Sequence, residues 1–178
     1  MKLTTSRKRK SKTAEIIQGL SREAQGLVEA LQNWRPTPGS AFPGHDLHGV
    51  SQDRADVAGV LAGVKPAALI DPQGFSPKIR RMMLNSDTFF QTDPVVQELI
   101  AAGEQQGYVY DEFWDLASEE PTAVFGKAKN VRALRRIHVC TRLEDWQGPD
   151  VHVKVGRLLG YPERNIREFV EQDLADYR

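Results

Sequence analysis

The chain has 178 residues, of which 40% are hydrophobic and 27% are charged, an ordinary composition for a globular domain in water. No stretch approaches the roughly 18–20 consecutive apolar residues of a membrane-spanning helix, and no apolar segment typical of a secretory signal follows the basic N-terminus. Cys140 is the only cysteine, which excludes an internal disulfide and fits a reducing compartment. We therefore expect a cytoplasmic protein with no membrane partner.

The net charge is zero, but the charges are unevenly placed along the chain. Residues 1–12 hold six Lys and Arg and no acid, so the remainder carries a net charge of about −6. Between residues 87 and 120 there are nine acids and no Lys or Arg, whereas residues 126–142 contain six Lys or Arg and no acid. A basic arm on an acidic body is typical of proteins that bind a polyanion or an acidic partner.

Three segments are predicted at the start of the chain. Residues 1–12 have too few apolar side chains to pack, so we expect a disordered basic tail. Residues 13–35 form a predicted helical arm, because apolar residues recur at helical spacing and Pro36 disfavours helix in the residue before it. Residues 36–49 hold three prolines and three glycines and form a predicted linker to a helical body at 50–178.

Capping residues predict three helix starts in the body. Ser51, Ser76 and Asp93 each precede a run with helical periodicity, and proline follows Ser76 and Asp93 at the first helical position. The segment "AALID" at 67–71 is either a short strand or an extended connector.

Two later segments carry the aromatic and basic residues. Residues 108–120 are predicted to be a helix ended by Pro121, because four side chains would then share one face: Tyr110, Phe113, Trp114 and Ala117. Residues 129–143 are either a helix, with Val131, Leu134 and His138 on one face, or a strand. We favour the helix.

The C-terminal segment predicts a helical hairpin. Asp150 can cap a helix that ends at Gly160, and Pro162 starts a second helix. The predicted fold is therefore mainly α, with five to seven helices in a single compact domain and at most a small β element. A flexible basic tail precedes it.

Two basic clusters are the candidate nucleic-acid-binding residues. The first lies in the tail: Arg7, Lys8, Arg9 and Lys10. The second lies in the segment that follows Gly126: Lys127, Lys129, Arg132, Arg135 and Arg136. Such side chains bind polyanions by releasing counterions, without reading sequence. In the second cluster, internal pairing with the acids of 87–120, from Asp111 to Glu120, stays an equal alternative.

Aromatic residues that could stack on bases are scarce near these clusters. Phe125 is the only ring within the basic segment, and Trp146 lies just beyond it. Single-strand binders usually present several rings on a basic face. We therefore expect contact with nucleic acid that is not sequence-specific.

The remaining polar residues do not indicate a catalytic or metal site. His45, Asp46 and His48 lie in the predicted linker without an obvious third ligand. His138 and Cys140 are two residues apart, so on a helix they point in different directions and do not form a nucleophile–base pair. We expect no catalytic residue, no metal and no cofactor.

The sequence favours a non-enzymatic binding protein that contacts nucleic acid or another acidic surface through the tail and the Lys/Arg cluster. A protein partner or homo-oligomer is also expected. One alternative is an assembly subunit of a larger complex that docks through its N-terminal arm. A second is a small enzyme with a site formed by His138, His152 and carboxylates.

Overall fold

Eight α-helices, one short 3₁₀ helix and a three-stranded antiparallel sheet are formed by the residues that the computed structural model describes, which are 12–35, 47, 49–84 and 92–172. The helices are α1 (12–18), α2 (Arg22–Gln32), α3 (Gln52–Leu61), α4 (Pro77–Leu84), α5 (Pro94–Gln105), α6 (Ala128–Cys140), α7 (Pro149–Leu159) and α8 (Glu163–Gln172). The strands are β1 (Ala67–Ile70), β2 (Val109–Asp115) and β3 (Glu120–Gly126), and the 3₁₀ helix is Leu143–Gln147. The mainly α class with a small β element is confirmed, although the eight helices among these residues exceed the five to seven predicted.

The sheet separates two apolar cores, because successive side chains of a strand point to opposite faces. The strand order is β1–β3–β2, with antiparallel pairing throughout. Ala68 and Phe125 enter a core shared with α2, α3 and α5. Phe113 and Val124 enter a second core shared with α6 and α7. The sheet is therefore a middle layer with helices on both faces.

The N-terminal helical segment is broken rather than continuous. It is divided at residues 19–21, where Ser21 caps α2 by accepting a hydrogen bond from the backbone N–H of Ala24. Glu98 of α5 accepts bonds from both the backbone N–H and the hydroxyl of Ser21, each 2.6 Å long. The apolar face of the segment, which includes Val28 and Leu31, is buried in the first core. Most of the predicted linker and nearly all of the predicted tail lie outside the described residues.

The prediction of a helix over 108–120 is wrong, because this segment forms β2 and the turn that follows it. β2 pairs with β3 along its whole length, from Val109 opposite Gly126 to Asp115 opposite Glu120. Tyr110 and Phe113 therefore enter opposite cores instead of sharing one face. Aromatic and β-branched residues fit a half-buried sheet surface, and here that preference prevails over the helical spacing.

Other local predictions agree with the structure. Ser51 and Asp93 cap α3 and α5 through their side-chain oxygens, and "AALI" forms β1. The C-terminal helical hairpin is α7 and α8, with Gly160 in the left-handed conformation after α7. The predicted cap at Asp150 is wrong, because α7 begins at Pro149 after Gly148 without a side-chain cap.

A buried ion pair joins the α3 region to the rest of the fold. Lys65 follows α3, and its Nζ lies 2.5 Å from Oδ1 of Asp56, with side-chain exposures of 1% and 6%. Gln52 donates a second hydrogen bond to the same carboxylate oxygen. The ammonium also lies 5.2 Å from the ring centre of Tyr161, in the α7–α8 connection. One lysine therefore contacts both α3 and the C-terminal hairpin.

None of the helices within the described ranges combines the length and the apolarity that crossing a bilayer requires.

We expect Gly160→Ala to destabilise the protein by about 2–4 kcal/mol. A Cβ there would lie 2.3 Å from Cδ of Pro66, in addition to the strain of a φ of +82°. Gly63→Ala is the matched control, because Gly63 has a φ of +78° with open space around it. It should cost only the backbone strain, about 1–2 kcal/mol. Urea unfolding measures the loss of unfolding free energy in each variant. Equal losses in the two variants would contradict the close contact between Gly160 and Pro66.

We expect Lys65→Met to destabilise the fold by about 3–5 kcal/mol, because it leaves the buried Asp56 carboxylate without its counter-charge. Burial already raises the pKa of Asp56, opposed by the charge of Lys65. The double variant Lys65→Met/Asp56→Asn removes the charge as well and should recover part of the stability. Chemical unfolding of the three proteins checks this, and a double variant no more stable than Lys65→Met would contradict it.

Candidate nucleic-acid interface

The basic segment forms α6, which lies against the sheet on the side of the second core. Val131, Leu134 and His138 are buried on its inner face. The side-chain amide of Asn130 donates a 2.8 Å hydrogen bond to the backbone carbonyl of Leu158, which ties α6 to α7. The helix is the interpretation that the sequence favoured for residues 129–143. Its outward face is consequently fixed by the packing of its inward face.

Three cations occupy the outward face of α6. Lys129, Arg132 and Arg136 are three and four residues apart, which places them in one row on the side opposite the buried residues. All three are exposed, and none forms an ion pair with another described residue. We call these three residues the α6 stripe. With a rise of about 1.5 Å per residue, it spans about 10 Å of helix.

Two other cations of the predicted cluster are placed differently. Arg135 points toward β2, where its Nη1 lies 2.7 Å from Oδ2 of Asp111. Lys127 is exposed at the start of α6, and its backbone N–H donates to the carbonyl of Pro66. The structure therefore supports internal pairing with the acidic segment for Arg135 and not for the α6 stripe.

The acids of the preceding segment are mostly engaged elsewhere. Glu112 accepts hydrogen bonds from the backbone N–H groups of Phe75 and Ser76 at the start of α4, and from the hydroxyl of Tyr110. Asp93 caps α5 and pairs with Arg54. Because these carboxylates have local roles, they do not neutralise the α6 stripe.

An open cleft of about 550 Å³ lies beside the first turn of α6. Its lining combines α6 with the beginning of the described chain and the α5–β2 connection: Thr13, Leu61, Gln106, Gly107, Tyr108, Lys127 and Ala128. We call it the α6 cleft. No carboxylate is among these lining residues. The candidate residues Arg7, Lys8, Arg9 and Lys10 lie outside the described residues.

His138 forms a buried pair with Asp115, a residue predicted to lie on a helix. Its Nδ1 lies 2.9 Å from Oδ2 of Asp115 on β2. Phe113 and Trp146 cover the imidazole, with ring centres 5.9 and 4.9 Å away. Nε2 is buried without a hydrogen-bond partner among the described residues. Because the free nitrogen is enclosed, we assign His138 a structural role in joining β2, α6 and the 3₁₀ helix.

A second cleft, of about 430 Å³, is lined by residues at the starts of α3 and α5 and after β1, which include three acids and Arg54. Oδ2 of Asp53 accepts a 3.0 Å hydrogen bond from the backbone N–H of Asp71. Burial raises the pKa of Asp53 to about 6, and the negative charges of Asp71, Asp56 and Asp93 add to this, whereas the hydrogen bond opposes it. Within the described ranges, no three His, Cys, Asp or Glu side chains are grouped so as to hold a metal ion. His45, Asp46 and His48 lie outside those ranges.

The sequence did not reveal the α6 cleft or the Asp115–His138 pair. Both depend on contacts between residues far apart in the chain, and Asp115 was assigned to a helix instead of β2. A usable signal for the buried pair was the position of His138 on the apolar face of α6, since a polar residue there needs a partner.

No protein-family model, no curated protein and no solved structure matches this chain.

We expect Asp53→Asn to stabilise the protein by about 1–2 kcal/mol at pH 7. The folded-state pKa of Asp53, about 6, lies above its ordinary value of 3.8, so the wild type loses stability as the pH rises from about 4 to 6. Asparagine removes that penalty and can still accept the bond from Asp71. The advantage should therefore shrink as the pH falls from 6 to 4.

Thermal unfolding between pH 4 and 8 measures this difference. Glu104→Gln, which neutralises an exposed acid on α5, is the control and should show no such pH dependence. An advantage of Asp53→Asn that stays constant over this range would contradict the raised pKa.

Proposed function

We propose that this chain is a non-enzymatic binding protein that contacts the phosphate backbone of nucleic acid through the α6 stripe, with the basic tail as a second contact. The observation that carries this proposal is the row formed by Lys129, Arg132 and Arg136. All three are exposed, and no described acid pairs with them.

The absence of pairing matters because of how polyanions bind. A cation that meets a phosphate releases condensed counterions from the nucleic acid, and each such contact adds to the affinity at low salt. A cation already paired with a carboxylate, such as Arg135 with Asp111, gives up that pair or brings a negative charge near the phosphate. The unpaired stripe carries no such cost, so it is the favoured contact.

The interface is expected to bind without sequence specificity. Phosphate contacts fix position but do not identify bases. Phe125 is fully buried and Tyr108 is packed against the first core, so neither ring is free to stack on a base. The α6 stripe itself contains no aromatic residue. These features favour the duplex backbone over unpaired bases as the target.

A second candidate function is that of an assembly subunit. Leu116, Val139 and Leu143 are 42%, 40% and 64% exposed around the C-terminal end of α6, where the backbone N–H of Leu116 donates to the carbonyl of His138. Exposed apolar side chains of this size are typical of protein contacts. A concentration-dependent mass shift in the absence of nucleic acid would favour this function.

We expect the triple reversal Lys129→Glu/Arg132→Glu/Arg136→Glu to weaken duplex DNA binding by roughly 100-fold at about 0.1 M salt. It should also lower the slope of log K against log salt by about 3, one unit for each cation that no longer meets a phosphate. Fluorescence anisotropy over a salt series, with duplexes of unrelated sequence, measures both quantities.

The matched control is Lys78→Glu/Arg80→Glu/Arg81→Glu on α4, which changes the net charge equally at three other exposed positions. It should retain most of the wild-type slope. Equal weakening in the two triple variants would mean that net charge, and not the α6 stripe, governs binding. Failure of the wild type to bind any nucleic acid at about 0.05 M salt would remove the proposed function.

A further inference from the structure

Three exposed apolar side chains lie around the C-terminal end of α6. Leu116 follows β2, Val139 lies in the last turn of α6 and Leu143 begins the 3₁₀ helix. The backbone N–H of Leu116 donates a 3.0 Å hydrogen bond to the carbonyl of His138, so the turn after β2 lies against the end of α6. Val139 is four residues after Arg135, which binds β2, so Val139 lies on the side of α6 that faces β2. We call Leu116, Val139 and Leu143 the apolar patch.

The apolar patch is exposed although it could be buried against another protein. Leu143 is the most exposed of the large apolar side chains in the part of the chain that the structure describes. Single exposed apolar residues are common, but several side by side are typical of a protein contact. A phosphate backbone has no apolar surface to bury here, so a protein fits the patch better than a nucleic acid does.

Charges of opposite sign flank the apolar patch. Glu119 lies in the turn that begins at Leu116, and Arg142 immediately precedes Leu143, and both charged side chains are exposed. Glu119 pairs with no other described residue. Nη1 of Arg142 approaches Oε1 of Glu144 only to 3.7 Å, and both of these side chains are largely exposed. Such a loose surface pair contributes little to stability, so Arg142 can bind a different carboxylate at small cost.

The backbone of Glu119 is strained. Its φ is +55°, and it is the only residue other than glycine with a positive φ in the described ranges. This left-handed conformation is unfavourable for a residue with a Cβ, whereas glycine adopts it freely. Strained residues of this kind often lie at functional sites. Because the Glu119 side chain has no partner among the described residues, its conservation of this conformation favours a partner outside the chain.

We propose that the apolar patch is the contact surface between two copies of this chain, related by a two-fold axis that passes through the patch. In such a dimer each copy offers the same surface, so a group on one side of the axis meets the group on the other side. Glu119 of each copy then meets Arg142 of the other, and the apolar side chains are buried between them. This inference rests on the assembly function described above and names its partner. The interface is small, so we expect a dissociation constant in the micromolar range.

Sedimentation velocity on the full-length protein measures the dissociation constant of the dimer. Val139→Ser should weaken the dimer by roughly 10-fold, because it removes an apolar contact from the centre of the interface. Val109→Ser is the matched control and should dimerise like the wild type. Val109 is 37% exposed against 40% for Val139, but it lies at the opposite end of β2 from Leu116. A wild type that stays monomeric at millimolar concentration, or equal weakening by the two variants, would overturn the proposal.

Charge reversal tests whether the partner is a second copy. Glu119→Arg and Arg142→Glu each place like charges opposite one another at both charged contacts of the dimer, so each should weaken self-association by roughly 10-fold or more. In an equimolar mixture of the two variants, both contacts of the mixed dimer join opposite charges again, so it should form with the wild-type affinity. Circular dichroism shows that each variant is folded. A mixture that associates no better than either variant alone would mean that the surface is not self-complementary and would sink the proposal.

The dimer and the nucleic-acid contact can fail separately. Anisotropy at nanomolar protein reports on the α6 stripe while the chain is monomeric. If the wild type does not dimerise but the triple reversal of the α6 stripe still lowers the salt slope, the dimer is wrong and the nucleic-acid contact stands. If the dimer forms and the wild type binds no nucleic acid, the dimer stands without that contact.

Discussion

The buried ion pair between Lys65 and Asp56 is the contact on which the arrangement of the layers depends. An ammonium at 1% exposure is stable only beside its counter-ion, so α3 and the start of β1 are held at one distance. The ring of Tyr161 lies over the same ammonium, which adds the α7–α8 connection to the contact. The next residue, Pro66, packs against Gly160 and accepts the backbone hydrogen bond of Lys127. The start of α6 is therefore positioned by the turn that contains this ion pair.

Close approach of backbone and side chains sets the spacing of the layers. A Cβ at Gly103 of α5 would lie 2.2 Å from Cζ of Phe125, so α5 reaches the sheet only because that position has no side chain. Gly126, at the end of β3, has a φ of +156° and comes similarly close to Ala67 on β1. The chain turns from β3 into α6 immediately after this contact. The orientation of the α6 stripe thus follows from tight packing in the sheet and not from the charges themselves.

The sequence predicted those parts of the fold that depend on local chemistry. The caps at Ser51 and Asp93 and the hairpin glycine at Gly160 were evident from neighbouring residues, and for α6 a helix was favoured while a strand stayed an alternative. β2 was not evident, because its aromatic residues recur at helical spacing although the segment pairs with β3. The turn between the two strands contains no Gly, Pro or Asn that would have indicated a hairpin. The basic residues of the candidate site could be identified from charge alone. Which of them form ion pairs could not be identified, because Arg135 differs from its neighbour Arg136 only in lying on the side of α6 that faces Asp111.

The segregation of charge in the sequence has a physical consequence in the folded chain. Three acids that precede the basic segment are used within the body: Glu112 binds the start of α4, Asp115 holds His138 and Asp111 binds Arg135. Glu119 and Glu120, which are nearer in sequence, are exposed and do not pair with the outer row of α6. In the nucleic-acid contact that we propose, the net negative charge of the rest of the body repels the phosphates at long range, whereas the α6 stripe attracts them. Screening by salt weakens both the repulsion and the attraction.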